Sequence, residues 1–445
     1  MNARTTRRRT AVRLAAITAV AALSLAACGT AADEEPSGGD DGDGGETAEG
    51  AEPVTLRIAW SGSDDRTRRT QEALDLYMER NPHVTVEVEF TTSTNFWDRL
   101  TTQVAGGNAP DIIQMSGQVL AQYATSDVLL DVEPYIGEQV NLDGWEQELL
   151  DRQTVDGTLY GVPPGVDGHA ILFDATKLAE LGIDPPAEDW TWSDYGDLVR
   201  EIKAAAGDQY WGSEDGGPQY EVLQTFLAQR GKYMFDDGEL GFTRDDVAEL
   251  WGMFGELQAE GVIVPPQVQT EYGANPENSG IVQGYAAMDF TTSSQFTNFV
   301  GLSPNEVGIT TYPFGDDGEP GQVWRAGLAW SVTRTSAHPE EALKLVDFLV
   351  NDPDAAEILL TSRGVPASPA VREQVRELVD ETEQKSFDHL ATVQGYDAEI
   401  TPLLPVGFGD FNDAYQRLYY EYAFGRLSLD EAVDQFMSEA AAAIG

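Results

Sequence analysis

Cysteine and histidine are scarce in this chain, which has one cysteine and four histidines among 445 residues. A single cysteine excludes an internal disulfide framework. The histidines lack the close spacing of zinc ligands, and neither a Gly-x-Ser-x-Gly nucleophile elbow nor a His-Glu-x-x-His zinc helix occurs. The sequence therefore predicts no metal site, no cofactor and no enzyme.

Basic residues are also few, because 27 Lys and Arg stand against 76 Asp and Glu, for a formal net charge of −49. A field of that sign repels phosphate backbones and anionic lipid head groups. We therefore expect no nucleic-acid partner and no electrostatic docking to membranes. Internal repeats are absent too, which argues against a purely structural or adhesive surface protein.

The N-terminus has the pattern of a secretory signal. Several arginines precede an apolar run from Leu14 to Ala27 that is too short to span a bilayer. The run ends in Leu-Ala-Ala-Cys28, which is typical of a bacterial lipoprotein signal. We predict a signal peptide at residues 1–27 and a lipid on Cys28 that anchors the exported protein to the outer face of the cell membrane. The arginines suit either the general or the twin-arginine export route.

Residues 29–52 consist only of small residues, Pro, Asp and Glu. Such a segment cannot bury enough apolar surface to order itself, and its acidic charges repel one another. We predict that residues 28–53 form the lipid anchor and a flexible acidic tether. The folded body then begins at residue 54.

Alternation of apolar residues over 54–60 predicts a strand, and a helical spacing follows up to about Arg80. A second alternating stretch at 84–90 completes a β-α-β unit, for which parallel strands are expected. A third, buried strand is predicted at 112–115. Ligands collect at the carboxyl ends of parallel strands, so the loops after Trp60 and Met115 should face one crevice.

Short motifs in a characteristic order identify the family that the chain resembles, the carbohydrate-type extracellular solute-binding proteins of ABC importers, to which the maltose-binding proteins belong. The motifs extend over most of the body: Gly106-x-x-Ala109-Pro110-Asp111-Ile112-Ile113-x-Met115, Leu129-Leu130-Asp131-Val132, Tyr160-Gly161-Val162-Pro163, Gly284-Tyr285-Ala286-Ala287-Met288 and Gly364-Val365-Pro366.

The resemblance implies an α/β protein with a two-lobe periplasmic-binding-protein-like fold, a hinge and a ligand cleft between the lobes. Carried over by position, lobe one comprises residues 54–164 plus 290–332, and lobe two comprises residues 168–288 plus 336–445. The first crossing between the lobes is expected near residues 165–167, where a glycine can absorb backbone rotation.

Sugars present apolar ring faces and a rim of hydroxyls, so aromatic plates and planar hydrogen-bonding groups suit their capture. The candidates combine those residue types with positions at expected cleft edges or in binding segments of the family: Trp60, Asp65, Trp97, Ser116, Gln118, Asp167, Trp211, Thr292, Trp324, Arg325 and Arg363.

Several candidates have an ordinary alternative. Trp60 ends an alternating strand and suits a core position equally well, and the helical position of Trp97 favours packing. Asp65 and Asp167 could be solvated acids in an acidic chain. Thr292 lies in the segment Asp289-Phe290-Thr291-Thr292, where many relatives carry Gly-Pro-Trp or Gly-Ser-Trp, and this difference leaves the identity of the sugar open.

The resemblance implies a substrate-binding lipoprotein that captures a sugar or oligosaccharide and delivers it to ABC permease subunits with their cytoplasmic ATPase. The protein is expected to act as a monomer. The alternative is an extracellular carbohydrate-active enzyme, which would need two carboxyl groups about 5–10 Å apart with different pKa values. With 76 acids in the chain, spacing along the sequence cannot identify such a pair.

Overall fold

The computed structural model describes residues 52–445 except 92, 237, 273–275 and 397–402. The predicted signal peptide, Cys28 and the tether up to residue 51 lie outside the described residues. Within the described part of the chain, no helix combines the length and apolar character needed to cross a bilayer.

The strands are short apart from three of eight or ten residues: β1 (Val54–Ser61), β2 (Val84–Thr91), β3 (Ile112–Ser116), β4 (Thr154–Val155), β5 (Thr158–Leu159), β6 (Gly165–Asp174), β7 (Phe235–Asp236), β8 (Glu239–Leu240), β9 (Met288–Thr292), β10 (Val307–Thr310), β11 (Trp324–Arg325), β12 (Leu328–Val332) and β13 (Val365–Pro366).

Helices occupy most of the remaining chain: α1 (Asp64–Arg80), α2 (Ser93–Ala105), α3 (Leu120–Thr125), α4 (Gln147–Asp151), α5 (Ala175–Leu181), α6 (Trp192–Ala206), α7 (Tyr220–Ala228), α8 (Arg244–Glu260), α9 (Pro266–Tyr272), α10 (Gly280–Gln283), α11 (Phe296–Leu302), α12 (Pro339–Asn351), α13 (Pro353–Leu359), α14 (Pro369–Leu378), α15 (Glu381–Gly395), α16 (Phe408–Ala423) and α17 (Leu429–Ile444). Short 3-10 turns lie at Glu133–Tyr135, Pro276–Asn278 and Ser293–Gln295.

The first sheet has the order β12-β3-β1-β2, with β1 parallel to both of its neighbours. The predicted β-α-β unit is therefore confirmed, including its helix, which ends at Arg80. The Ser63 hydroxyl accepts a hydrogen bond from the Arg66 amide at 3.3 Å and caps the N-terminus of α1. Strand β12 returns antiparallel to β3.

The second sheet is built on the ten-residue strand β6, which pairs antiparallel with β9, β10, β11 and β13. Different stretches of β6 belong to different cores. Val166 packs in the core under the first sheet, whereas Ile171 and Phe173 pack in a second core rich in aromatic residues. The strand thus passes from one core to the other, in the region where the first crossing was predicted.

Packing of the later segments differs from the predicted lobe boundaries. Residues 290–314 were expected with lobe one, yet β9 and β10 pair with β6, and Phe290 and Tyr312 lie in the second core. Residues 336–445 were expected with lobe two, yet α12 and α14 pack in the first core through Leu345 and Val375. Motif order gives the position of a segment along the chain. The core in which that segment packs depends on the contacts that its own apolar residues make in the folded protein.

The close approach of β10 to β6 provides a first prediction. Gly308 is paired with Phe173, and a Cβ at Gly308 would overlap the Phe173 ring. We expect Gly308→Ala to lower the free energy of unfolding by about 1–2 kcal/mol, since overpacked cores are strained by such amounts. Urea unfolding measures the change. Gly301→Ala in α11 is the matched control because a Cβ at Gly301 would meet no atom within 4 Å, so a similar loss there would contradict the explanation.

Candidate functional site

A cleft of about 1540 Å³ opens between the first and second cores. Its first wall begins where β1 and β3 end, at Ser61 and Ser116, so the prediction that both loops face one crevice is confirmed. The opposite wall includes Tyr220 and Glu221 at the start of α7 and Thr292 at the end of β9. Polar and aromatic side chains therefore face the cleft from both sides.

Five of the predicted site residues line this cleft. Trp97 lies edge-on to Phe96, with ring centroids 4.9 Å apart. The Thr292 hydroxyl is 2.9 Å from the Ser294 hydroxyl, which also lines the cleft. The full group is Asp65, Trp97, Ser116, Gln118 and Thr292.

Gln118 is the predicted residue that reaches across the cleft. Its amide nitrogen Nε2 donates a hydrogen bond to the Tyr220 hydroxyl at 3.2 Å. Gln118 follows β3 of the first sheet, whereas Tyr220 belongs to the second core. The contact joins the two walls directly.

The three predicted tryptophan plates Trp60, Trp211 and Trp324 do not line the cleft. Trp60 is fully buried in the first core, because the alternation of β1 directs it inward, and Trp324 is also buried there. Trp211 packs edge-on to Tyr285, with centroids 6.1 Å apart, and lies beneath the Lys203 ammonium. In this structure these three rings face away from the cleft, because strand and loop position alone do not define the side to which a ring points.

Asp167 and Arg325 lie behind the cleft surface as paired residues on β6 and β11. Arg325 Nε is 3.4 Å from Asp167 Oδ1, Nη2 is 3.5 Å from Glu221 Oε1, and Nη1 donates to the Tyr220 hydroxyl at 2.9 Å. Ser294 donates to Asp167 Oδ2 at 2.9 Å. Burial opposes the charge of Arg325, but Tyr220, Asp167 and Glu221 outweigh it and raise the pKa of the guanidinium. The group therefore stays charged.

Arg363 is buried one layer behind the cleft. Its guanidinium lies over the Trp330 ring, 4.5 Å from the centroid, and donates to Gln114 Oε1 and to Thr70 Oγ1. Gln114 lines the cleft, so Arg363 contacts the wall rather than the open space. Burial, followed by the charge of Arg66, holds the pKa of Arg363 well below its usual range.

The sequence interpretation missed a pair of carboxyl groups on the second wall, Glu214 and Asp289, which both line the cleft. Glu214 Oε1 accepts hydrogen bonds from the Gly280 amide at 2.8 Å and the Tyr285 hydroxyl at 2.9 Å. Burial and then the charge of Asp289 raise the pKa of Glu214 to about 8, and burial raises the pKa of Asp289 to about 6. Because the chain has 76 Asp and Glu residues, the sequence could not identify these two as a pair.

Arg66, Tyr220 and Glu221 were also missed. A usable signal existed for the latter two, because Gly216-Gly217-Pro218 marks a turn before a helix, and helix starts commonly face ligands. Arg66 lies in a helical run of arginines, where only the fold shows that Arg66 lines the cleft and Arg68 does not.

Comparison with known proteins gives a consistent result. Residues 72–385 match the family model described as bacterial extracellular solute-binding protein. The chain is 23% identical to a lactose-binding protein of Rhizobium radiobacter over 67% of this chain and 71% of that one. It is 22% identical to a maltodextrin-binding protein of Bacillus subtilis over 86% of each.

Solved structures show the same fold. A periplasmic oligogalacturonide-binding protein from Yersinia enterocolitica, in complex with saturated digalacturonic acid, superposes with a TM-score of 0.79. The match covers 87% of this chain and 98% of that one at 22% identity. The chain thus has the fold of periplasmic solute-binding proteins, with two α/β cores on either side of a cleft.

Proposed function

The chain belongs to the bacterial extracellular solute-binding protein family, and we propose that it captures a sugar or oligosaccharide in the cleft and delivers it to the permease of an ABC importer. The observation that carries this proposal is the two-sided cleft of about 1540 Å³. That volume accommodates more than one sugar ring, since pockets for drug-sized ligands enclose about 300–1,000 Å³.

The cleft offers the chemistry that a saccharide needs. Trp97 provides aromatic surface on the first wall, and Gln118, Ser116 and Thr292 provide donors and acceptors for hydroxyls on both walls. A solute that contacts both walls favours the closed arrangement over an open one by the free energy of the added contacts. Closure is then the signal that a permease can recognise.

The remaining expectations belong to the same proposal. Cys28 carries the lipid, residues 28–53 form the tether, and the folded body works as a monomer at the outer face of the cell membrane. Its partners are the permease subunits and their cytoplasmic ATPase. The solute leaves unaltered, so no residue has a catalytic role.

Thermal-shift titration of the purified protein with mono- and oligosaccharides tests the function. A specific sugar should raise the melting temperature with concentration, because it binds only the native state. If amino acids or peptides raise the melting temperature and no sugar does, the carbohydrate assignment is rejected. Release of a shortened or modified sugar would favour an enzyme, for which the Glu214 and Asp289 carboxyl pair would be the first suspects.

Gln118 provides a variant for the same assay. Gln118→Ala removes the amide that reaches across to Tyr220, and we expect the Kd of the sugar found in the screen to rise about 5–20-fold, or about 1–2 kcal/mol. Gln122→Ala is the matched control, because Gln122 is exposed on α3. Equal effects of the two substitutions, measured by calorimetric titration, would remove Gln118 from the binding surface.

A further inference from the structure

Four arginines lie at the cleft or behind its surface, and we name them the basic cluster: Arg66, Arg152, Arg325 and Arg363. Arg66 lines the cleft itself. Arg152 and Arg363 are buried in the protein, with 4% and 7% of their surfaces exposed. The side chain of Arg325 is 13% exposed. Such a concentration of positive charge is unexpected in a chain with a net charge of −49.

Carboxylates balance only part of this charge. Asp167 and Glu221 both pair with Arg325. Among the described residues, no carboxylate lies within 4 Å of the guanidinium of Arg66 or of Arg363. Arg66 donates instead to the carbonyl oxygen of Ser362, at 2.8 Å. The partners of Arg363 are the neutral oxygens of Gln114 and Thr70.

Burial, with a smaller contribution from nearby charges, lowers the pKa values of two of these arginines and of His169 beside them. Burial lowers the pKa of Arg66, although the charge of Asp167 opposes the shift. Burial and then Arg325 lower the pKa of Arg152 to about 9. Burial, followed by Arg325 and Arg152, holds the pKa of His169 well below its usual range. A buried guanidinium whose partners are neutral oxygens, as for Arg363, is unfavourable, and an anion placed nearby recovers part of the cost.

An anion in the cleft could reach this charge. Ser61, Gly62, Ser63 and Ser362 surround Arg66 on the cleft surface. A Cβ at Gly62 would lie 2.6 Å from Arg66 Cδ, so the glycine leaves room for the arginine side chain. Arg363 contacts Gln114 from behind the cleft surface, and its buried Nε has no hydrogen-bond partner in the part of the chain that the structure describes.

Building on the proposed function, we propose that the captured saccharide carries a carboxylate, as in a uronic acid, and that Arg66 binds this group with Arg363 supporting it through Gln114. A planar guanidinium matches a carboxylate with two parallel hydrogen bonds, which a neutral hydroxyl cannot reproduce. Arg325 is not the group that binds the carboxylate of the ligand, because it already forms ion pairs with Asp167 and Glu221 and a hydrogen bond with Tyr220.

The test compares acidic sugars with neutral sugars of the same stereochemistry. Calorimetric titration of the purified protein would use galacturonate against galactose, glucuronate against glucose, and digalacturonate against galactobiose. We expect at least one acid to bind tenfold or more tightly than its neutral partner, with an advantage that shrinks as salt is added. Neutral sugars that bind as tightly as every acid, or more tightly, would overturn the inference and leave the proposed function intact.

Variants of helix α1 assign the effect. Arg66→Gln should abolish the preference for the acid, while Arg66→Lys should retain part of it because the charge persists without the planar fork. Arg68→Gln is the matched control, because Arg68 is exposed and pairs with Asp65 and Glu72. Unchanged preference in Arg66→Gln would reject Arg66 as the binding group. If that variant does not fold, the comparison of acidic with neutral sugars in the wild-type protein still tests whether the ligand carries a carboxylate.

Two further outcomes separate related explanations. Binding of galactose 6-phosphate or galactose 6-sulfate, with no binding of any uronate, would overturn the carboxylate assignment. Binding of no saccharide at all, together with a response to amino acids or peptides, would reject the proposed function and this inference together.

Discussion

Replacing Arg325 with methionine should lower the free energy of unfolding by about 3–5 kcal/mol, because removal of one partner from a buried ion pair leaves uncompensated charge. Asp167 and Glu221 both face Arg325, and their side chains are only 13% and 19% exposed. Methionine preserves the unbranched chain but offers no positive charge to either carboxylate. Urea unfolding at neutral pH provides the measurement.

Two comparisons separate the charge effect from the loss of packing. The double variant Arg325→Met with Asp167→Asn removes one stranded charge and should recover part of the lost stability. Arg68→Met removes an arginine that also pairs with two acids but is exposed, and its unfolding midpoint should not change measurably. If the double variant is no more stable than the single one, the stranded charge is not the cause.

Glu214→Gln should act in the opposite direction and raise the free energy of unfolding at pH 8 by about 4 kcal/mol, because each unit of pKa shift is worth about 1.4 kcal/mol. Burial and Asp289 raise the pKa of Glu214 from an ordinary value of 4.5 to about 8. Between these two values the folded protein holds a proton that the unfolded chain has released. Stability therefore falls as pH rises through this window.

The variant should lose that dependence on pH because glutamine does not titrate. Its amide oxygen can still accept from Gly280 and Tyr285, so the local hydrogen bonds need not be lost. Urea unfolding at intervals from pH 5 to pH 8.5 would show a small difference at pH 5 that increases with pH and levels off above about pH 8. Glu201→Gln, on an exposed position of α6, is the control. Parallel pH profiles of wild type and Glu214→Gln would contradict the assignment.

These two predictions concern ionisable groups at the same cleft. Arg325 lies behind the cleft surface, where it contacts Tyr220 and Glu221, and Glu214 belongs to a carboxyl pair on the second wall. Because both walls hold buried ionisable groups, a ligand of defined charge would be oriented as well as bound. The Arg66 variants test this orientation through the acidic group of the ligand.

Local pattern alone determined the beginning of the fold. Alternation over β1 and β2, with helical spacing between them, required only neighbouring residues, and the parallel β-α-β unit followed from handedness. Motif order also identified the family, and the rule that ligands collect at the carboxyl ends of parallel strands placed the loops after β1 and β3 at the cleft. Ser116, Gln118 and Asp65 were found in this way, because their positions depend on where a strand ends.

Only the tertiary structure decided which side chains face the cleft and which charges lack partners. Arg363 meets Gln114 across 249 residues of chain, and Asp167 meets Ser294 across 127. Sequence periodicity does not encode such long-range contacts. The sequence therefore could not show that Trp60 is a core residue rather than a ligand-binding residue, or that Arg66 differs from the exposed Arg68. Hydrophobic alternation is a property of adjacent residues, whereas burial and charge compensation depend on groups that only folding brings together.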